Sequence, residues 1–360
     1  MGRLPLALAQ SAGVIRSQKL TYDAFITRLR EQPVDEYLVR GGDPYRLHAA
    51  QAVLLAVATI EGTDPSARPL LNLLAVLSPE GLPRSLLYAA TGRDGSAAAP
   101  ADVDRTLGRL NDASLISLSI EDQRAVMHRF TQRVIRDRAR GDGSSPETIA
   151  GAANLLSGAL IPDELAWRER AAAADLIQQI TALWESTLPE SLGAHDTMLT
   201  DNLLRLRRWA IRNLILVSDP VRAIELGSAI QSDHERLLGN DHVETQNCRD
   251  RVATAHQYAG RLDEAITLFE RNLTDRERLL GPDHSDTLTS RNNLALAYRA
   301  AGRLDEAITL HQRNLTDRER LLGPNHPDTL TSLGNLAAAY QDAGRVNEAI
   351  ALQRTQPDRL

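Results

Sequence analysis

The sequence predicts an all-α chain with a small β wing, ending in an α-solenoid of stacked helical hairpins. Three observations carry that prediction. Gly239, Gly281 and Gly323 stand 42 residues apart, and each opens a near copy of one stretch. A fixed period in this range marks stacked repeats. Alanine recurs at two registers of that stretch, as Ala253 and Ala265, Ala295 and Ala307, and Ala337 and Ala349. Ahead of the repeats, helical patterns are interrupted only by one pair of β-like runs, Leu115–Ile120 and Arg124–His128, which read as a hairpin across Glu121-Asp122-Gln123.

The middle copy, GPDHSDTLTSRNNLALAYRAAGRLDEAITLHQRNLTDRERLL from Gly281 to Leu322, holds two helical patterns. The first runs from about Thr287 to Ala301, with Leu294, Ala295 and Tyr298 on one face. Gly302 stops it, because glycine takes the left-handed cap without a side-chain penalty. The second starts near Asp305 and buries Ala307, Ile308, Leu310 and Leu315. Pro282 and Pro324 lie just past helix ends, where proline cannot continue a helix. A degraded fourth copy precedes these three: Ala223 and Ile224 match Ala265 and Ile266, and its first helix is expected at Leu203–Leu216. In the last copy Gln356-Pro357 is expected to end the second helix.

Small residue, tyrosine three later, glycine four after that and alanine five further resembles the tetratricopeptide repeat. The longer period and the GPDHxDT linker are most similar to the kinesin-light-chain subtype. That resemblance implies a concave groove lined by the first helix of each repeat, holding a protein or peptide. The groove residues it implies are Asp250, Arg251, Thr254 and Gln257 in the first copy. They are Asn292, Asn293, Leu296 and Arg299 in the second, and Gly334, Asn335, Ala338 and Gln341 in the third. Asn293 and Asn335 stand where the family uses asparagine to clamp a peptide backbone, since an amide both donates and accepts. Arg251 breaks the clamp in the first copy.

From the start of the chain, GRLPLALAQSAGVI and LTYDAFITRLRE read as amphipathic helices, broken at Gly41-Gly42-Asp43-Pro44. Helices are expected at about Tyr45–Ile60, Ala67–Leu77, Pro83–Ala90, Val103–Asp112 and from the hairpin to Arg138. Helix, short helix, helix, hairpin, helix is the order of a winged-helix domain. A connector follows, helical at Pro146–Leu156 and Asp163–Leu183. The expected organisation is a helical-lid remnant over residues 1–42, a winged helix over 43–140, the connector over 141–188 and repeats over 189–360.

Gly2–Leu8, GRLPLAL, resembles the Gly-Leu-Pro-Leu motif of NB-ARC signalling ATPases of the STAND class, and Met127-His128-Arg129 stands where that family carries Met-His-Asp. The resemblance implies that Pro5 lies against adenine and His128 meets the phosphates of ADP. Arg129 departs from the family's aspartate. A P-loop needs Gly-Lys-Ser/Thr so that lysine reaches the phosphates, and the only lysine, Lys19, sits between Gln18 and Leu20. The chain alone is therefore expected to be no enzyme and to hold no cofactor, ADP entering only with a partner ATPase core. It would be a truncated or split member of that class.

Net charge is −6, divided as +1 over residues 1–150 and −7 over the rest. An acidic solenoid disfavours nucleic-acid backbones. Of 41 basic residues all but Lys19 are arginine, the bias of a GC-rich, bacterial genome. One cysteine, Cys248, excludes an internal disulfide and favours a reducing, cytoplasmic setting; it reads as a packing residue. No apolar run is long enough to span a membrane, and Leu4–Ala9 is too short for a signal-peptide core.

His242, His284 and His326 recur one repeat apart, too dispersed to converge on a metal, and read as turn residues. Arg129, Arg133, Arg136 and Arg140 share one helix face and could meet phosphate, a solvated face or another domain. Asp102–Asp112 mixes too many carboxylates for a DNA-reading helix. The favoured function is a non-enzymatic interaction scaffold or sensor arm of a STAND-type system. The alternatives are a DNA-binding regulator and half of a split ATPase. Self-association and a partner P-loop chain stay open.

Overall fold

The computed structural model describes residues 21–24, 27, 49–89, 99–119, 121, 123–187 and 197–354. Pro5, most of the lid remnant and Gln356-Pro357 lie outside them. The chain forms two compact units, Met1–Pro162 with Glu169–Arg207, and Asp163–Arg168 with Arg208–Leu360.

In the first unit, helices α1 (Ala49–Glu61) and α2 (Ala67–Val76) precede strand β1 (Leu82–Pro83). Helices α3 (Arg84–Ala89) and α4 (Pro100–Asp112), strands β2 (Ser117–Leu118) and β3 (Arg124–Val126), and helices α5 (Arg129–Gly141), α6 (Ser145–Gly158) and α7 (Arg170–Ser186) follow. Helix α2 is the core element. Leu70, Leu71, Leu73 and Leu74 are buried on it, and it packs against both α5 and α6. Each fully buried side chain of this size contributes roughly 1.5–3 kcal/mol. Its last carbonyls need partners, and buried Gln132 supplies them, donating from Nε2 to Leu74 O at 2.9 Å and Leu77 O at 3.0 Å. Buried Gln179 of α7 accepts from Ser78 N and donates to Gly81 O, fixing the turn into β1.

Three expectations are corrected here. The hairpin is shorter than the apolar run suggested, and it carries a third antiparallel strand, because Leu82 and Pro83 pair with Ala125 and Arg124 before α3 begins. The connector is not one helix over Asp163–Leu183: a 3-10 turn at Asp163–Leu165 is separated from α7. The first helix of the degraded repeat starts earlier than Leu203, at Thr197.

The second unit is a run of antiparallel helix pairs. It contains the end of α8 (Thr197–Leu216), then α9 (Pro220–Leu238), α10 (Val243–Tyr258), α11 (Leu262–Leu280), α12 (Ser285–Ala300), α13 (Leu304–Leu322), α14 (Pro327–Asp342) and α15 (Val346–Arg354). From α9 onward each helix packs on the next. The six repeat alanines are all buried, so at those positions the helices meet with nothing wider than a methyl between them. Gly302, at φ +74°, and Gly281, at φ +87°, take the positive backbone angle that each helix end requires. Tyr298 closes the hairpin sideways, donating to Glu270 while Arg303 stacks on its ring. One repeat on, Tyr340 accepts from Gln312 Nε2 at 2.7 Å under Arg345. Burial and the Glu270 carboxylate push the Tyr298 hydroxyl up to about 12.

Candidate functional site

The first helices of the three full repeats, α10, α12 and α14, touch one another more extensively than the second helices do. The groove residues expected from the sequence stand on these first helices. Direct links run between them: Asn335 Nδ2 donates to Asn292 Oδ1 at 2.9 Å, and Arg299 pairs with Asp342.

The implied groove residues divide by how much of their polarity the fold already uses. Asn293 is half-buried, and its side chain has no hydrogen-bond partner among the described residues. Leu296 and Gln257 are half-buried beside that row, and Gln341 is exposed. Asn335 has its amide nitrogen engaged by Asn292. Asp250 is bound into the fold, accepting from Asn272 Nδ2 at 2.7 Å and pairing with Arg276 at 2.8 Å. Burial pushes its carboxyl up against the pull of Arg276. Burial and then Arg212 hold the Arg251 guanidinium below its ordinary range.

Interior arginines are the functional-looking residues that sequence reading passed over. Arg249 and Arg291, one repeat apart, are completely buried. Arg249 Nη1 reaches Asp275 at 2.8 Å and Arg291 Nη1 reaches Asp317 at 2.7 Å, with Glu235 and Glu277 as second partners. Arg276 and Arg318, also buried, stand one repeat apart on α11 and α13. The signal of the first pair was available: Arg249 and Arg291 recur at the repeat period, and so do their acids, Glu235 and Glu277, Asp275 and Asp317.

The three loop histidines cap helices. His242, His284 and His326 each accept on Nδ1, at 3.2 Å, from the backbone N–H two residues on, satisfying a donor that the first turn leaves free. Cys248 is buried in α10. In the first unit, His128 likewise caps α5, accepting from Phe130 N at 3.2 Å; burial lowers its pKa. The arginine stripe is engaged within the unit: Arg129 faces Glu80, Arg133 and Arg140 hold Asp137, and Arg136 donates to Ala75 O. On α4, Asp104 is tied to Arg84 and Tyr88, and Arg109 to Asp64. No helix among the described residues is long and apolar enough to cross a membrane.

Residues 241–315 and 286–355 match the tetratricopeptide repeat family, so this part of the chain is an array of those repeats. Residues 58–142 match a family described as a domain of unknown function, DUF7779. No curated protein matches the chain. Among solved structures, the kinesin-light-chain TPR-like repeats of Podosopora anserina are 24% identical, covering 54% of this chain and 90% of that one, with a TM-score of 0.45. A Rap protein complexed with competence and sporulation factor is 8% identical over 86% of this chain and 76% of its own, with a TM-score of 0.41. The STAND protein with a tetratricopeptide repeat sensor from Pyrococcus horikoshii is 12% identical over 98% of this chain and 61% of that one, with a TM-score of 0.34.

Proposed function

We propose that the chain is a non-enzymatic interaction scaffold or sensor arm whose repeat array binds a protein or peptide along its first-helix side. The carrying observation is Asn293, half-buried on that side with neither end of its amide engaged among the described residues. A half-buried amide that the fold leaves uncommitted keeps one acceptor and a donor for the N–H and C=O of an extended peptide. Leu296 and Asn335 flank it, giving an apolar contact and a further amide oxygen.

The setting in a STAND-type system rests on the sequence motifs of the first unit. His128 Nδ1 is occupied by its cap, which leaves Nε2 to meet a phosphate if a partner chain supplied the nucleotide. DNA reading is the weaker alternative, because the charges of α4 are largely neutralised by Arg84, Asp64 and neighbours on the helix itself.

The test compares capture from native lysate by wild type, N293A/N335A, and T309A on an exposed second-helix position. The reading predicts specific partners with wild type and T309A that N293A/N335A loses at unchanged melting temperature. Equal capture by all three would place the working surface elsewhere.

A further inference from the structure

Helices α2, α5, α6 and α7 of the first unit leave a cleft between them, of about 260 Å³ with its mouth included. One wall is apolar, with Val76 and Ile135 in it. The rest is polar. Asn72 of α2, Arg136 and Arg140 of α5, Ser145 and Thr148 of α6 and Ser186 of α7 line it, and no carboxylate stands among the lining residues. Each of these six side chains is a hydrogen-bond donor.

The fold uses little of that capacity. Thr148 spends its hydroxyl on Ser144 O, at 2.9 Å. Arg140 is held on one side by Asp137, which it shares with Arg133. Asn72, Ser145 and Ser186 are half-buried, and their side chains make no hydrogen bond among the described residues. Arg136 is half-buried too. It gives one N–H, from Nη1, to Ala75 O at the end of α2. A guanidinium carries five donors, and Arg136 has no other hydrogen bond and no ion pair among the described residues. Burial, reinforced by Arg133 and Arg140, pushes its pKa down to about 10; Asp137 and the exposed carboxylate of Glu185 oppose this only in part. A cation drawn out of water without a counter-charge is costly, and an anion in the cleft removes that cost.

We propose that this cleft binds a phosphate-type oxyanion, held by Arg136 with Asn72, Ser145 and Ser186 around it. Donors from four helices converge there from several directions. A tetrahedral oxyanion offers an acceptor toward each of them, whereas a carboxylate offers two oxygens in one plane. The volume lies below the roughly 300–1,000 Å³ of pockets that take drug-sized ligands, which suits one small anion. Its source is free inorganic phosphate or a small phosphate monoester. The cleft stands two turns along α5 from the His128 cap, roughly 12 Å away, and owes nothing to that histidine.

The test is isothermal titration of the full chain with inorganic phosphate and with glycerol 3-phosphate, at pH 7 and fixed ionic strength. Wild type is expected to bind at least one of them saturably, one anion per chain. R136Q should weaken binding about tenfold or more, the scale of one charge-assisted hydrogen bond. Arg136 also holds the end of α2, so two further variants separate binding from folding. N72A and S145A, whose side chains the fold leaves uncommitted, should each weaken binding severalfold at unchanged melting temperature. E185Q removes a carboxylate that opposes the anion and should tighten binding. R129Q, whose guanidinium faces Glu80 and does not line the cleft, should leave it unchanged. Binding of phosphate with the ester excluded identifies the free ion as the ligand, and tighter binding of the ester identifies a monoester. No saturable binding of either, or binding that R136Q, N72A and S145A all leave intact, would overturn the proposal.

Discussion

His311 shows how far one side chain can depart from its counterpart. It occupies the register of Phe269, completely buried, and neither ring nitrogen has a partner among the described residues. Burial, with Arg299 adding to it, pushes its pKa down to about 4. The folded state therefore keeps the ring neutral while the unfolded chain takes a proton at the ordinary value. The associated stability is fully present above about pH 6.5 and is lost as pH falls toward 4, by roughly 3 kcal/mol at most. His311→Phe, which restores the residue of the preceding repeat, should flatten the melting temperature over that window relative to wild type. A variant with the same slope as wild type would refute this. The loop histidines are simpler. Their period and exposed turn setting made a structural role readable from the sequence, and the cap supplies it. His284→Ala should destabilise by about 1 kcal/mol in urea unfolding, the usual cost of a lost N-cap, with no change in any binding readout.

At the scale of the helix pair, the interior arginines set the prediction. Arg291 lies wholly buried between the carboxylates of Asp317 and Glu277, which keep 20% and 33% of their side-chain surface exposed. Removing both acids strands a buried cation, whereas removing the arginine leaves acids that water still reaches. E277A/D317A should therefore cost roughly 3 kcal/mol or more, and Arg291→Leu, the residue that the third repeat carries as Leu333, distinctly less. Urea midpoints decide it, and the reverse order would contradict the account. These arginines were not recognised in the sequence because Arg and Glu in a helix read as a solvated face. What gives them away is recurrence at an interior register, together with acids that recur at the same period. Helix ends, by contrast, were legible wherever glycine or proline marks them: α12 and α13 lie within two residues of their expected starts. The strand Leu82–Pro83 was not, since two residues carry no alternation and their pairing is decided by β3, more than forty residues away.

For the whole chain, the repeat architecture was legible because stacking imposes one set of small residues on every copy, at Ala253, Ala295 and Ala337. The polar groove row was legible only as positions. Which of those side chains are already engaged depends on neighbours on another helix: for Asp250 the second helix of its own repeat, for Arg299 the first helix of the next. No single stretch of sequence fixes that. The same sequence carries no Gly-Lys-Ser/Thr, so the purified chain is expected to show no ATP turnover; turnover abolished by a substitution in this chain would contradict that.

The most direct test of the central claim, that partners bind along the first helices, is site-specific photocrosslinking in native cells. A photoreactive amino acid is placed at Leu296 on that side or at Thr309 on the exposed face of the second helix. The account predicts a discrete crosslinked partner from position 296, lost when N293A/N335A is added, and none from position 309. Crosslinking from 309 alone, or from 296 regardless of the asparagines, would contradict it.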